Sequence, residues 1–248
     1  MNGGQNTKNN EILHGKKLSE ADPERIWGWG SPAGRVRAER RARLIAEAAC
    51  LVSGMKVLEI GCGTGFFTEI FAQYGAHITA VDISRDLLDI ARGKGLPRER
   101  VHFIEKPFEE CEVDGPFDAV IGSSILHHLD IDESFSKIFR LLKPGGMMSF
   151  AEPNMLNPQI LLQKNIPWLK RLMGDSPDET AFVRWPLKTV LMKKGYVGIR
   201  ITPFDWLHPS TPESLIDFVS AVGGFLEKTP GLSEFAGSLL ITCRRPGV

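Results

Sequence analysis

Val57-Leu58-Glu59-Ile60-Gly61-Cys62-Gly63-Thr64-Gly65, followed directly by Phe66-Phe67-Thr68-Glu69-Ile70-Phe71, is the stretch that decides the fold. Val57, Leu58 and Ile60 form a short apolar run suited to a strand buried within a parallel sheet. The alternating glycines after it let the backbone turn sharply and approach a ligand without Cβ clashes. Phe66, Phe67, Ile70 and Phe71 then fall at helical spacing, so the turn would present the unpaired N–H groups of a helix N-terminus. Strand, glycine turn and helix together read as a cofactor cradle.

The next strand, His77 to Val81, carries Asp82 at its carboxyl end, the edge where ligands of open α/β sheets gather. A dinucleotide fingerprint places glycine at the first, third and sixth positions of the turn, and the sixth residue from Gly61 is Phe66. The third glycine comes one residue early, which leaves a nicotinamide-dependent oxidoreductase as the less favoured alternative. With Glu59 ahead of the turn and Asp82 after the second strand, the pattern resembles motif I of the class I S-adenosylmethionine (SAM)-dependent methyltransferases, in their small-molecule, ubiquinone-biosynthesis-like branch. The resemblance implies SAM as cofactor, with Glu59, Gly61, Cys62, Gly63, Gly65, Asp82 and Ile83 among the residues that hold it. Asp82 would accept both ribose hydroxyls in charge-assisted hydrogen bonds.

Further motifs carry the resemblance from about Leu44 to Arg244. After a third strand, Val101 to Ile104, the aspartate that the family directs at the adenine amino group aligns with Pro107, which has no side-chain acceptor. Phe108 can still offer its backbone N–H and its ring, leaving Glu105 or Glu109 to supply the carboxylate. This departure keeps a second alternative open, a SAM-binding module without transferase activity. The fourth strand leads into Phe117-Asp118-Ala119-Val120-Ile121-Gly122-Ser123-Ser124-Ile125-Leu126-His127-His128, similar to the family's fourth motif, which implies Ser123 and Ser124 beneath the methionine of the cofactor. His127 and His128 follow at the lip, where an imidazole suits removal of a hydroxyl proton. The helix Asp132 to Leu142 ends at Lys143-Pro144-Gly145-Gly146, a turn expected to lead into a fifth strand, Met147 to Ala151, that delivers Glu152 and Asn154 to the same edge. There Glu152 reads as a catalytic candidate that binds substrate or acts as base, a structural cap being the competing reading.

The implied fold is α/β: a Rossmann-like sheet of seven mostly parallel strands with helices on both faces, the last strand antiparallel, plus a lid insertion. Residues 1–17, rich in Asn, Gly and Lys, read as a disordered tail, and 18–248 as a single domain. Within it, an N-terminal segment of about 23–51 carries Trp27 and Trp29 among glycines, and by resemblance forms a lid; packing on the outer face is the competing reading. Arg35 to Arg43 reads as an exposed helix face, since Glu39 sits four residues from both Arg35 and Arg43, with a substrate-facing basic role as the competing reading. An insertion of about 154–186 would roof a mainly apolar substrate pocket with Asn154 and Arg184 as polar handles.

Composition limits the function classes. Thirty basic and thirty acidic side chains give a formal net charge of zero, which argues against a nucleic-acid substrate. The four cysteines show no CxxC pair and no metal-ligand spacing, so a reducing, cytoplasmic setting is expected and no metal. No apolar run reaches membrane-spanning length. The sequence thus predicts a SAM-dependent methyltransferase acting on a small molecule.

Overall fold

The computed structural model describes residues 12–13, 15–172 and 180–247. Seven strands form one sheet: β1 (Lys56–Ile60), β2 (His77–Asp82), β3 (Val101–Glu105), β4 (Phe117–Ser123), β5 (Leu142–Pro153), β6 (Val197–Phe204) and β7 (Ser238–Arg244). Their order is β3-β2-β1-β4-β5-β7-β6. β1 pairs in parallel with β2 and β4, and further parallel pairs join β2 to β3 and β4 to β5. β7 runs antiparallel to both β5 and β6, so the expected mostly parallel sheet with an antiparallel last strand is what forms.

Alternation along the central strands sends side chains to two cores. Val57, Ala119 and Ile121 face α2 (Pro32–Ala48), α3 (Phe66–Ala72) and α4 (Arg85–Gly93) through Ile45, Phe71 and Leu88. Leu58, Ile60 and Val120 face the other way, against Phe135 and Ile138 of α5 (Ile131–Leu141) and Leu187 and Leu191 of α8 (Arg184–Lys193). Further helices among the described residues include α1 (Pro23–Ile26), α6 (Pro158–Asn165), α7 (Pro167–Leu172) and α9 (Ile216–Leu226). Among the described residues, no helix is long and apolar enough to cross a membrane.

Two expectations change. Lys143 to Gly146 is not a free turn: α5 stops at Leu141, and β5 begins at Leu142, paired with Phe117. Leu142 is fully buried, so its apolar contact draws the segment into the sheet, and a register shift between Phe117 and Ala119 absorbs the extra residues as a bulge. The folded chain also begins earlier than residue 18. Residues 15–19 are helical and Leu18 is buried, whereas residues 1–11 and 14 of the expected tail lie outside the described residues.

Candidate active site

The carboxyl ends of β1, β2 and β4 open onto one cavity of about 720 Å³, in the range usual for small-molecule sites. Its wall on the β1 side is the glycine loop, where Gly61, Gly63 and Gly65 have φ of +70°, +51° and +73°. A Cβ on Gly61 would stand 2.4 Å from the Ile125 side chain, so both the backbone angle and the space demand glycine there. Asp82 lines the cavity while bracing this loop. Its Oδ2 accepts the Gly63 N–H at 2.7 Å and its Oδ1 the Ser84 N–H at 2.9 Å. Ser84 in turn caps α4 through the Leu87 N–H. Ile83, Phe108 and Cys62 also line the cavity, so β2 and the turn after β3 supply its apolar side.

Beyond Ile125, which abuts Gly61 of the loop, the structure brings the three candidate catalytic residues together. His127 and His128 both line the cavity, with ring centroids 4.2 Å apart. His127 Nδ1 lies 2.6 Å from Glu152 Oε2, with both side chains almost fully buried. Glu152 Oε1 accepts the N–H groups of Ile125 and Leu126, each at 2.9 Å. Burial alone would raise this carboxyl, but the His127 charge and hydrogen bond, with the two backbone donors, hold it below the ordinary carboxylate value. An ionised Glu152 fixes the proton on Nδ1 and leaves Nε2 as the basic nitrogen. Glu152 therefore stands one layer behind the cavity, linked to it through His127.

Arg41 is the residue that sequence reasoning missed. It belongs to the helix face read as solvated, yet its side chain is 2% exposed and lines the cavity floor. Nε donates to Ser123 Oγ at 2.8 Å, Nη1 to Ser238 Oγ at 2.8 Å, and Nη2 to Ser124 Oγ at 3.0 Å and the Ala151 carbonyl at 2.6 Å. Desolvation pulls the guanidinium down to about 10, so it still carries its charge near neutrality. Its neighbours also point inward: Arg37 reaches Asp205 and Arg40 reaches Glu227. The exposed-face reading of Arg35 to Arg43 is thus corrected for these three arginines. The available signal was the small-residue face Ala38, Ala42, Ile45 and Ala46, whose helical spacing includes position 41.

The roof comes from the N-terminal segment. Trp27 lies over Gly63, and a Cβ there would be 3.3 Å from its ring. Trp29 is buried, edge-on to Phe67 at 5.6 Å between centroids, with the Arg37 and Arg41 guanidinium groups over its ring. Ser31 caps α2 and donates its hydroxyl to the Pro209 carbonyl at 2.7 Å, tying this segment to the 205–210 stretch that closes the opposite rim.

Besides Glu152, four sequence-derived site residues stand away from the cavity. Gly65 is behind the loop, where a Cβ would meet Ala91 at 2.9 Å, so it serves helix packing. Asn154 is buried and donates to the carbonyls of Glu234 and Ala236, which corrects its role as a substrate handle. Arg184 pairs with Glu234 at 2.5 Å and is likewise corrected: both residues anchor the insertion to the stretch before β7. Residues 173–179 of that insertion lie outside the described residues. Glu59 points into the core beneath the loop, with Oε2 buried and unpartnered. Desolvation pushes its carboxyl up to about 8, against the opposing effect of the Thr68 hydroxyl and aided by the Asp82 charge. Between the unfolded value near 4.3 and about 8, the folded state holds the extra proton, so stability falls as pH rises across that window. Glu59→Gln is expected to flatten this slope, raising the melting temperature at pH 8 more than at pH 5; thermal melts at the two pH values check it.

Residues 57–146 match a family described as a methyltransferase domain. A ubiquinone biosynthesis O-methyltransferase from Xanthomonas oryzae pv. oryzae is 34% identical over 135 residues, which are 52% of this chain and 56% of that protein. The enzyme of the same name from Alkalilimnicola ehrlichii is 29% identical over 193 residues, 72% of this chain and 78% of its own. The chain spans about half the length of the first of these curated relatives. Among solved structures, the N-methyltransferase NodS from Bradyrhizobium japonicum, in complex with S-adenosyl-L-homocysteine, superposes with a TM-score of 0.64 over 96% of this chain and 99% of its own, at 16% identity. That likeness is one of fold.

Proposed function

We propose, for a chain whose residues 57–146 match a methyltransferase domain, that it is a class I SAM-dependent methyltransferase that moves a methyl group from SAM to a hydroxyl of a small-molecule acceptor. The observation that carries the reading is the convergence on one cavity of the glycine loop, the Asp82 carboxylate and the His127–Glu152 pair. The residues present fit the cofactor. Close approach at Gly61 and Gly63 suits its backbone-hugging tail, Asp82 suits ribose hydroxyls, Phe108 suits an adenine face, and the buried Arg41 cation with Ser123 and Ser124 suits an amino-acid carboxylate. SAM supplies an electrophilic methyl on a sulfonium centre.

The chain's own work is to align and to move a proton. Holding the acceptor oxygen in line with the methyl accounts for most of the expected acceleration. His127 accepts the hydroxyl proton at Nε2, and Glu152 stabilises the imidazolium that results. Trp27, Trp29 and the described part of the 154–186 insertion act as lid and roof of a single domain that includes the helical residues 15–19. Zero net charge favours a metabolite over nucleic acid, and four free cysteines suit a reducing cytoplasm.

The test is calorimetric titration of SAM, S-adenosylhomocysteine and NAD, with Asp82→Ala alongside. Binding of the sulfonium pair near micromolar, about −8 kcal/mol, is expected, weakened about 100-fold in the variant. NAD binding in their place would transfer the reading to the oxidoreductase class. Cofactor binding without turnover on any hydroxylated acceptor would favour the binding-module alternative, which rests on the missing acceptor at Pro107.

A further inference from the structure

The turn after β3 has lost the carboxylate expected at Pro107, yet it is held by an unusual device. Residues Phe108–Glu110 form one turn of 3-10 helix with no side-chain cap. Its internal bonds run from Glu110 N–H to the Pro107 carbonyl and from Cys111 N–H to the Phe108 carbonyl. That pattern leaves the Phe108 and Glu109 N–H groups at the open end of the turn. At the other end, Lys137 of α5 inserts its ammonium among three carbonyls, those of Phe108 at 2.6 Å, Glu109 at 3.1 Å and Cys111 at 2.5 Å. All three of its N–H donors are thereby used on one turn. The same ammonium lies 4.9 Å from the centroid of the Phe108 ring. Phe108 and Glu109 line the cavity, whereas Glu105 does not.

We infer that Lys137 is a positioning residue for nucleobase recognition: it clamps the 107–111 turn so that the Phe108 N–H and the Glu109 carboxylate together read the adenine edge. The inference rests on the SAM reading above. Adenine offers an amino donor beside a ring-nitrogen acceptor, and this rim offers an acceptor, Glu109, beside a donor, the Phe108 N–H. Hypoxanthine, with a carbonyl and a ring N–H, reverses both partners. Glu109 thus restores, two residues later, the acceptor missing at Pro107, and Lys137 replaces the rigidity that a side-chain cap would give the turn. Burial lowers the Lys137 ammonium's proton affinity, and the nearby Glu109 and Glu133 charges offset only part of that effect.

The experiment measures dissociation constants of S-adenosylhomocysteine and S-inosylhomocysteine for the full chain, Lys137→Met, Lys137→Arg and Glu109→Ala. The parent chain should prefer adenine by about 30-fold or more, the worth of two matched against two mismatched hydrogen bonds at a partly exposed rim. Lys137→Met should shrink that ratio about 10-fold and raise KM for SAM with kcat changed less than about twofold, since the reacting end is untouched. Lys137→Arg should recover most of the ratio, because a guanidinium also places several donors on the turn. Glu109→Ala, at a rim position that packs little, should lose the ratio without lowering the melting temperature. A ratio unchanged in Lys137→Met, or equal in all four proteins, overturns the inference while leaving SAM binding intact. Failure of the parent chain to bind either nucleoside overturns the SAM reading itself.

Discussion

His127→Ala is expected to lower kcat by about 10²- to 10⁴-fold, the usual contribution of a positioned general base, while the dissociation constant of S-adenosylhomocysteine moves less than about threefold. The split follows from geometry. His127 lines the cavity with its Nδ1 2.6 Å from Glu152, whereas the glycine loop is braced separately, by Asp82 through the Gly63 N–H. Glu152→Gln keeps the shape but removes the charge that stabilises the imidazolium, so kcat should drop about 10- to 100-fold and the acidic limb of its pH profile should move to lower pH. The same carboxylate affects stability with a definite sign. Its folded value is depressed, so its contribution is fully present above the unfolded carboxylate value and is lost as pH falls through the folded one. Acid melts of Glu152→Gln should be correspondingly flatter. Saturated turnover of His127→Ala equal to that of the parent chain would remove the base from the mechanism and leave alignment alone.

Arg41→Met should cost about 2 to 5 kcal/mol of stability and abolish measurable SAM binding below millimolar concentrations. The guanidinium satisfies three buried or half-buried hydroxyls and the Ala151 carbonyl, and methionine can replace none of these donors. At roughly 2 to 4 °C per kcal/mol for a chain of this size, the melting temperature should fall by about 5 to 20 °C. Serine hydroxyls can rotate to other partners, and the Ala151 carbonyl still accepts the Ser124 N–H at 2.8 Å, so the lost donors set the lower end of that range and the buried cavity left by the guanidinium its upper end. Ser123→Ala and Ser124→Ala should each cost far less than Arg41→Met; equal losses would mean that the cation itself contributes little.

The glycine loop, the strands around it and Asp82 were legible because their signals are local: apolar runs of strand length, glycine at positions of positive φ, an acid at a strand end. The seven mostly parallel strands with an antiparallel last strand follow from the resemblance, whereas the order of the strands in the sheet comes from the structure alone. Long-range pairing was not legible. Nothing in Arg35 to Arg43 says that Arg37 will find Asp205, 168 residues away, or that Arg41 will find Ser238, so local i,i+4 logic chose solvent for all of them. Asn154 and Arg184 were misread for the same reason, since their partners lie around Glu234. Glu152 illustrates an intermediate case: its arrival at the right edge could be read from strand periodicity, but its role behind His127 depended on the three donors that meet it.

The placement of β7 between β5 and β6 has a consequence for how the protein is made. A ribosome emits α2, the glycine loop and β4 early and Ser238 late, so the Arg41 guanidinium waits for one of its four partners until almost the whole sheet has emerged. During that interval β5 presents an unpaired edge and β6 has no neighbour to bond, the kind of exposed strand that recruits other chains. A nascent chain stalled before Ser238 therefore combines an unfinished cofactor floor with an open sheet edge, and translation through the last seven-residue strand closes both at once.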